Sequence, residues 1–254
     1  MTKEKFQLIL SFACFGLAIL LFAGTTFAYF SDTKEITNTM TAGNVSIELS
    51  EAAVKSVGGN LVEDTSQKRV LGGTDATVHN YGRLYPGMSI HKDPTIKNTG
   101  DEPAWIAAKI TVTDGAGDLQ QIMGYDGYAG IDIKTMLSGG IIGQRAHSGT
   151  WNGIENVRYT DDFAIVQKAD ALTGTYEFFI FILQPLEAGE DVVLFDELSV
   201  PPEFSSQDMQ HLADLKIHVQ AYAVQLFDLN SCYEAMVKAV SSHFPFTFPV
   251  PEEP

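Results

Sequence analysis

Trp105-Ile106-Ala107-Ala108-Lys109-Ile110-Thr111-Val112-Thr113 places Ile106, Ala108, Ile110 and Val112 on one face at the two-residue period of a strand. Just before it, Asn98-Thr99-Gly100-Asp101 has turn chemistry and Pro103 stiffens the exit. Met88 to Lys97 reads as the preceding strand, with Pro94 placing it at an edge or a bulge because proline cannot donate to a ladder. This strand–turn–strand unit makes the chain a β protein.

The reading extends downstream. Tyr176 to Leu183 is almost continuously aromatic and β-branched, as expected of a strand buried on both faces. Pro185 ends it, Ala188-Gly189-Glu190 turns, and Val192 to Leu198 is expected to run as its neighbour. Leu215, Ile217, Val219, Ala221 and Ala223 alternate with Lys216, His218, Gln220 and Tyr222, which predicts a half-buried strand. Residues 115–144 are glycine-rich, with short helix candidates at Leu119–Met123 and Asp132–Leu137, and a strand region follows around Trp151–Gln167. Ser206 to Leu212 has the pattern of a helical turn. Over 231–242, Ser231 and Glu234 form a capping box, and Tyr233, Met236, Val237 and Val240 make an apolar stripe suited to docking on a sheet. Many strands with few helices predict a β-sandwich spanning 50–243, with insertions at 51–80 and 115–170. Glu51 to Tyr81, with its Gly58-Gly59 and Gly72-Gly73 pairs, reads as a long insertion or hairpin of moderate mobility.

Upstream, Val45, Ile47 and Leu49 alternate with Asn44, Ser46 and Glu48, giving one apolar strand face. Tyr29 to Met40 is polar and has little reason to fold alone. Lys3 and Lys5 form a basic head before an apolar run from Phe6 to Ala23, and Thr26 and Ala28 are small residues at minus three and minus one of a cut between Ala28 and Tyr29. That pattern predicts a signal peptide over 1–28. The competing reading is an uncleaved anchor, and both put the body outside the membrane, with membrane contact only through the uncleaved signal. The Pro-rich tail, 244–254, has no Leu-Pro-x-Thr-Gly sorting motif, so sortase attachment is not expected.

The chain carries a formal net charge of −16. Removing 1–28 takes away two lysines and one glutamate, leaving about −17. Such a surface repels phosphates, so nucleic acid and anionic lipid are not expected partners. Self-repulsion would be relieved by salt, divalent cations or lower pH. With Cys14 in the signal, Cys232 is the one mature cysteine, so no internal disulfide is expected.

Thr26-Phe27-Ala28-Tyr29-Phe30-Ser31-Asp32-Thr33, Thr41-Ala42-Gly43-Asn44-Val45 and Ile47-Glu48-Leu49 resemble the TasA/camelysin family of Gram-positive envelope and biofilm-matrix proteins. Leu84-Tyr85-Pro86-Gly87, Lys97-Asn98-Thr99-Gly100-Asp101, Leu186-Glu187-Ala188-Gly189-Glu190 and Ala221-Tyr222-Ala223-Val224-Gln225 resemble it too, while 51–80 and 115–170 look individual. The resemblance implies a jelly-roll, release by a SipW-type signal peptidase, and a secreted, extracellular-matrix or cell-surface location. It also implies self-association into head-to-tail fibres, with other matrix proteins as further partners. The implied mechanism is donor-strand exchange, in which the segment from Tyr29 through Leu49 adds to the next subunit and Val45, Ile47 and Leu49 fix the register. Pairing of that strand within its own subunit is the alternative, and the residues leave both open.

Camelysin-like proteins are also classed as metallopeptidases, which raises zinc chemistry. A zincin helix needs His-Glu-x-x-His, so that both imidazoles share a face. His79, His91, His147, His211, His218 and His243 show no such spacing and read as surface residues, so no metal, cofactor or catalytic residue is expected. There is no Gly-x-Ser-x-Gly elbow. Cys232, in the first turn of the last helix, reads as a packing residue rather than a nucleophile. Asp114-Gly115-Ala116-Gly117-Asp118 has too few fixed oxygens for an EF-hand and reads as a solvated turn. A fibre-forming matrix protein is therefore the leading expectation, beside an envelope metallopeptidase and a monomeric surface binding module.

Overall fold

The computed structural model describes residues 31–33, 45–72, 84–113, 136–170, 175–206, 209, 212, 215–226 and 229–240. The signal and cleavage site (Ala28, Tyr29), the helix candidate at 119–123, the Asp114–Asp118 turn and the tail lie outside the described residues. In chain order the strands are β1 (Ser31–Thr33), β2 (Ile47–Glu51), β3 (Val54–Val57), β4 (Asn60–Glu63) and β5 (Val70–Leu71). Next come β6 (Ser89–His91), β7 (Thr95–Asn98), β8 (Ala104–Thr113), β9 (Leu137–Ser138), β10 (His147–Trp151) and β11 (Ile154–Tyr159). The last are β12 (Phe163–Asp170), β13 (Thr175–Ile182), β14 (Asp191–Val193), β15 (Glu197–Ser199) and β16 (Lys216–Gln225), followed by helix α1 (Cys232–Val240).

The mainly-β expectation holds. A seven-stranded sheet runs β1-β16-β8-β13-β12-β11-β10, and two smaller sheets run β14-β7-β2-β5 and β3-β4-β6-β15-β9. Alternation along the central strands builds two cores. Ile106, Ala108, Ile110, Phe178 and Ile180 point towards the small sheets and meet Ile47, Leu49, Ile90 and Ile96. Ala107, Phe179, Phe181 and Tyr222 point the other way, where Cys232, Tyr233 and Met236 of α1 cover them. The near-continuous apolar run of β13 thus serves a sandwich on one face and a helix on the other. Ser231 Oγ accepts the Glu234 N–H at 3.1 Å, as the cap predicts, while Glu234 Oε2 accepts from Asn230 N at 3.0 Å.

Two expectations are corrected. Met88–Lys97 is two strands in different sheets: β6 pairs with β15, and β7 lies between β14 and β2. Pro94 is therefore neither at an edge nor in a bulge. It sits where the chain changes sheets, and its carbonyl accepts from Leu194 N at 3.0 Å. Val192–Leu198 does not neighbour β13, which lies between β12 and β8. The run is divided between β14 and β15, with Asp196 N bonded to Ser138 O at 2.9 Å at the crossing. Of the helix candidate Asp132–Leu137, 132–135 lie outside the described residues, Met136 is helical, and Leu137 begins β9 and pairs with Leu198.

The Glu51–Tyr81 insertion is a hairpin where described. β3 and β4 pair through a Gly58-Gly59 turn whose positive φ values of 60° and 88° suit glycine. The Trp151–Gln167 region resolves into β10, β11 and part of β12.

Candidate functional site

The residues expected to form a donor strand lie at home in the single chain. Ile47, Glu48, Leu49 and Ser50 pair antiparallel with Asn98, Lys97, Ile96 and Thr95, and Ser50 and Glu51 pair with Leu71 and Val70. Ile47 is fully buried and Leu49 nearly so, while Val45 packs on the same core half-buried. The element at the periphery is β1, whose Ser31, Asp32 and Thr33 pair with Val224, Ala223 and Tyr222 of β16.

Three of the segments that carried the family resemblance meet in space. Asn98, at the end of β7, is fully buried. Its Nδ2 donates to Glu102 O and Leu186 O at 2.9 Å each, and its Oδ1 accepts from Gly100 N at 2.9 Å. Its backbone N–H bonds Glu190 O and its carbonyl accepts from Gly189 N, both at 2.9 Å. Thr99 N and Gly100 N donate to Ser46 O at 2.8 and 3.0 Å, and Thr99 Oγ1 bonds Ser46 Oγ at 3.0 Å. The segments around Ser46, Asn98 and Glu187 are therefore one structural corner with Asn98 at its centre. Ala221–Gln225 belongs to β16, and Gly87 N bonds Val200 O at 2.9 Å. The corner's polar groups are spent on one another.

A second polar cluster holds the hairpin insertion to the body. Arg69 Nη1 pairs with Asp93 Oδ2 at 2.6 Å, and its other nitrogens donate to Ser50 Oγ, Ser50 O, Asp93 O and Thr95 Oγ1. Asp93 Oδ1 accepts from Ala52 N at 2.7 Å, and buried Lys92 pairs with Glu51. His91 Nε2 lies 3.7 Å from Asp93 Oδ2 without a hydrogen bond. The guanidinium fork matches carboxylate and backbone acceptors together, as a structural clasp does.

The described histidines stand apart: His91 on β6, His147 on β10 and His218 on the outer face of β16. His79, His211 and His243 lie outside the described residues. Among the described residues, no three His, Cys, Asp or Glu side chains gather where they could hold a metal ion. Cys232 is buried, its Sγ donates to Ile106 O at 3.3 Å, and burial holds its thiol far above the ordinary range. It packs as expected. Arg145, Ala146, His147, Tyr159, Thr160 and Asp161 line an open cleft of about 270 Å³ within the 115–170 insertion. No described helix is long and apolar enough to cross a membrane.

The sheet edges differ in how they are guarded, a feature sequence periodicity does not show. β10, at one end of the large sheet, has a register shift between Gly149 and Trp151, and Asn156 of its neighbour β11 has φ 59°. Bulges of this kind discourage pairing. β5 and β9 have two residues each, β14 has three, and β3 has four with Lys55 exposed. β16 is different, because all ten residues pair in unbroken register with β8. On its other side the described pairing covers Tyr222–Val224 alone.

Residues 3–118 match the family model described as camelysin metallo-endopeptidase, so the resemblance read from the N-terminal and central motifs is shown over that stretch. The motifs at 186–190 and 221–225 lie beyond it. No curated protein and no solved structure gives a significant match to the chain.

Proposed function

We propose, from the camelysin-family character of residues 3–118, that this chain is an exported structural protein that self-assembles into extracellular fibres by strand addition. The observation that carries this reading is that β1, at the end of the large sheet opposite the guarded β10 edge, adds antiparallel to the ten-residue β16, whose pairing with β8 is in unbroken register. An exposed regular edge supplies generic main-chain affinity, and alternating side chains select the register. A head-to-tail contact of this kind does not close on itself, so it grows a filament. Signal cleavage before Tyr29 would release the N-terminal segment from the membrane and so make assembly depend on export. The large negative charge predicts faster growth in salt or at mildly acidic pH.

The test is electron microscopy of the chain prepared with a Tyr29 terminus, at neutral and mildly acidic pH, beside the same chain lacking 29–43. Filaments from the first and folded monomers from the second are expected. Persistent monomers in every condition would refute the proposal and favour a surface binding module, for which the 145–161 cleft is the place to look.

A second reading rests on the family model's own description as a metallo-endopeptidase. Chelator-sensitive cleavage of casein by the purified chain would establish it, and an inert preparation loaded with zinc would remove it.

A further inference from the structure

The cleft beside β10 is built from residues that the fibre reading leaves unused. Its wall is the Tyr159 ring of β11 next to His147 of β10, with ring centroids 6.4 Å apart and planes tilted by 53°. Gly149 makes room for the tyrosine, since a Cβ there would lie 3.4 Å from Tyr159 Oη. On one rim Arg158 Nη2 donates to Ile142 O at 3.2 Å and Gln144 O at 2.9 Å, which fixes the segment leading to Arg145. On the other, Thr160 Oγ1 accepts from Asp162 N at 3.1 Å and Phe163 N at 3.3 Å, and Thr160 N bonds Phe163 O at 2.8 Å. Gln184 Nε2 donates to Asp161 O at 3.2 Å on the same rim. The backbone of both rims is therefore held in place before any ligand arrives. The charged side chains are not spent in the same way. Arg145, His147 and Asp161 are exposed, and none of the three makes an ion pair among the described residues.

We infer that this cleft binds a neutral sugar ring, with Arg145 and Asp161 on its hydroxyls and Tyr159 under its C–H face. A guanidinium only donates and a carboxylate only accepts, whereas a hydroxyl does both. Neighbouring hydroxyls of one ring can thus accept from Arg145 and donate to Asp161, and the negative face of the tyrosine ring suits the polarised C–H groups of a sugar. A cleft of about 270 Å³, small beside the sites of drug-sized ligands, suits a single ring. Charge selects the neutral class. Asp161 and exposed Asp162 share one rim, and the chain's −16 adds to the repulsion of a carboxylated or phosphorylated ligand. An extended peptide is a poorer occupant, because adding to β10 needs a regular edge and the register shift between Gly149 and Trp151 spoils it. The inference goes beyond the fibre reading and does not depend on it. β10 and β1 close opposite ends of the large sheet, so a contact made through β1 leaves the cleft open.

Saturation-transfer NMR on the chain with a Tyr29 terminus tests this, with methyl β-glucoside, methyl β-galactoside and N-acetylglucosamine as probes and glucuronate as the charged comparison. At least one neutral probe is expected to bind with a Kd of about 1–10 mM, and glucuronate roughly tenfold more weakly. Arg145→Ala and Asp161→Ala should each weaken the neutral probe about tenfold. Both side chains are exposed and unpaired among the described residues, so the melting temperature should stay at the parent's value and a lost signal cannot be put down to unfolding. Tyr159→Phe should keep the ring and most of the affinity, which separates stacking from a hydroxyl contact. Three results would overturn the proposal: no transfer to any neutral probe at about 100 mM, glucuronate binding best, or neutral binding that survives both alanine variants. Filaments that form while no sugar binds would remove this inference and leave the fibre reading standing. Sugar binding by a chain that never associates would do the reverse.

Discussion

Replacing Asn98 is the sharpest check on the corner that ties three parts of the chain together. The side chain is fully buried and makes three hydrogen bonds, two as donor and one as acceptor. At about 1 kcal/mol each, Asn98→Ala loses roughly 3 kcal/mol. Backups moderate this: Leu186 O also accepts from Ala104 N at 3.0 Å, and Gly100 N also donates to Ser46 O. The void left by the amide adds to the loss, so the expected total is about 3–4 kcal/mol. For a body of this size that lowers the melting temperature by roughly 6–16 °C. Asn98→Asp has nearly the same shape but sets a carboxylate against two carbonyl oxygens, so its folded-state pKa must rise. A raised pKa makes the folded state worse as pH rises, so this variant should regain stability from pH 7 to pH 5. Urea unfolding of parent and both variants at the two pH values reads all of this. A loss under about 1 kcal/mol in Asn98→Ala, or no gain on acidification in Asn98→Asp, would refute the role assigned to the corner.

Asp93→Ala should cost about 2–4 kcal/mol and speed proteolysis at the Gly58-Gly59 turn, since it leaves Ala52 N without its acceptor and frees Arg69 from its carboxylate. Gly140→Ala should cost about 2–4 kcal/mol by thermal melt, because Gly140 has φ 48° and a Cβ would lie 2.6 Å from Val193 O. Cys232 should resist iodoacetamide until the chain unfolds. Because burial raises its folded pKa, its contribution is intact below the ordinary thiol pKa and declines as pH rises above about 9, a slope that Cys232→Ala should lack.

The elements legible in the sequence are those whose signal is local. β8, β13, β16 and α1 each carry their own period, and each lies within a residue or two of its expected place. What failed depended on partners far away in the chain. Lys92-Asp93-Pro94 gave a proline signal, which sequence rules assign to an edge or a bulge. In the fold those residues are buried, and Arg69, Ala52 and Leu194 hold them while the chain passes between sheets. Val192–Leu198 likewise has one apolar pattern and two destinations. Asn98 read as a turn residue, and nothing local signalled that Leu186, 88 positions on, would bury it. The edge asymmetry was equally hidden, because a guard at Gly149 is visible only once β10 is known to be an edge strand.

Two nested deletions separate what β2 does for the body from what the preceding segment does for assembly. β2 lies inside its sheet, between β7 and β5, and buries Ile47 and Leu49. Burial of those two side chains contributes about 1.5–3 kcal/mol each. Its ladders to both neighbours add to that, so removing 29–49 costs about 5 kcal/mol or more, comparable to the 5–15 kcal/mol of a whole domain. Among the described residues, removing 29–43 takes away the three-residue pairing of β1, at a cost of roughly 1 kcal/mol. Circular dichroism melts should therefore show a near-parental body in the shorter deletion and an unfolded or strongly destabilised one in the longer. If both melt like the parent, β2 is dispensable to the body and free to be exchanged, and Val45, Ile47 and Leu49 would again be the donor residues. If only the longer one fails, β2 is needed to complete the body, whether its own chain or a neighbouring copy supplies it.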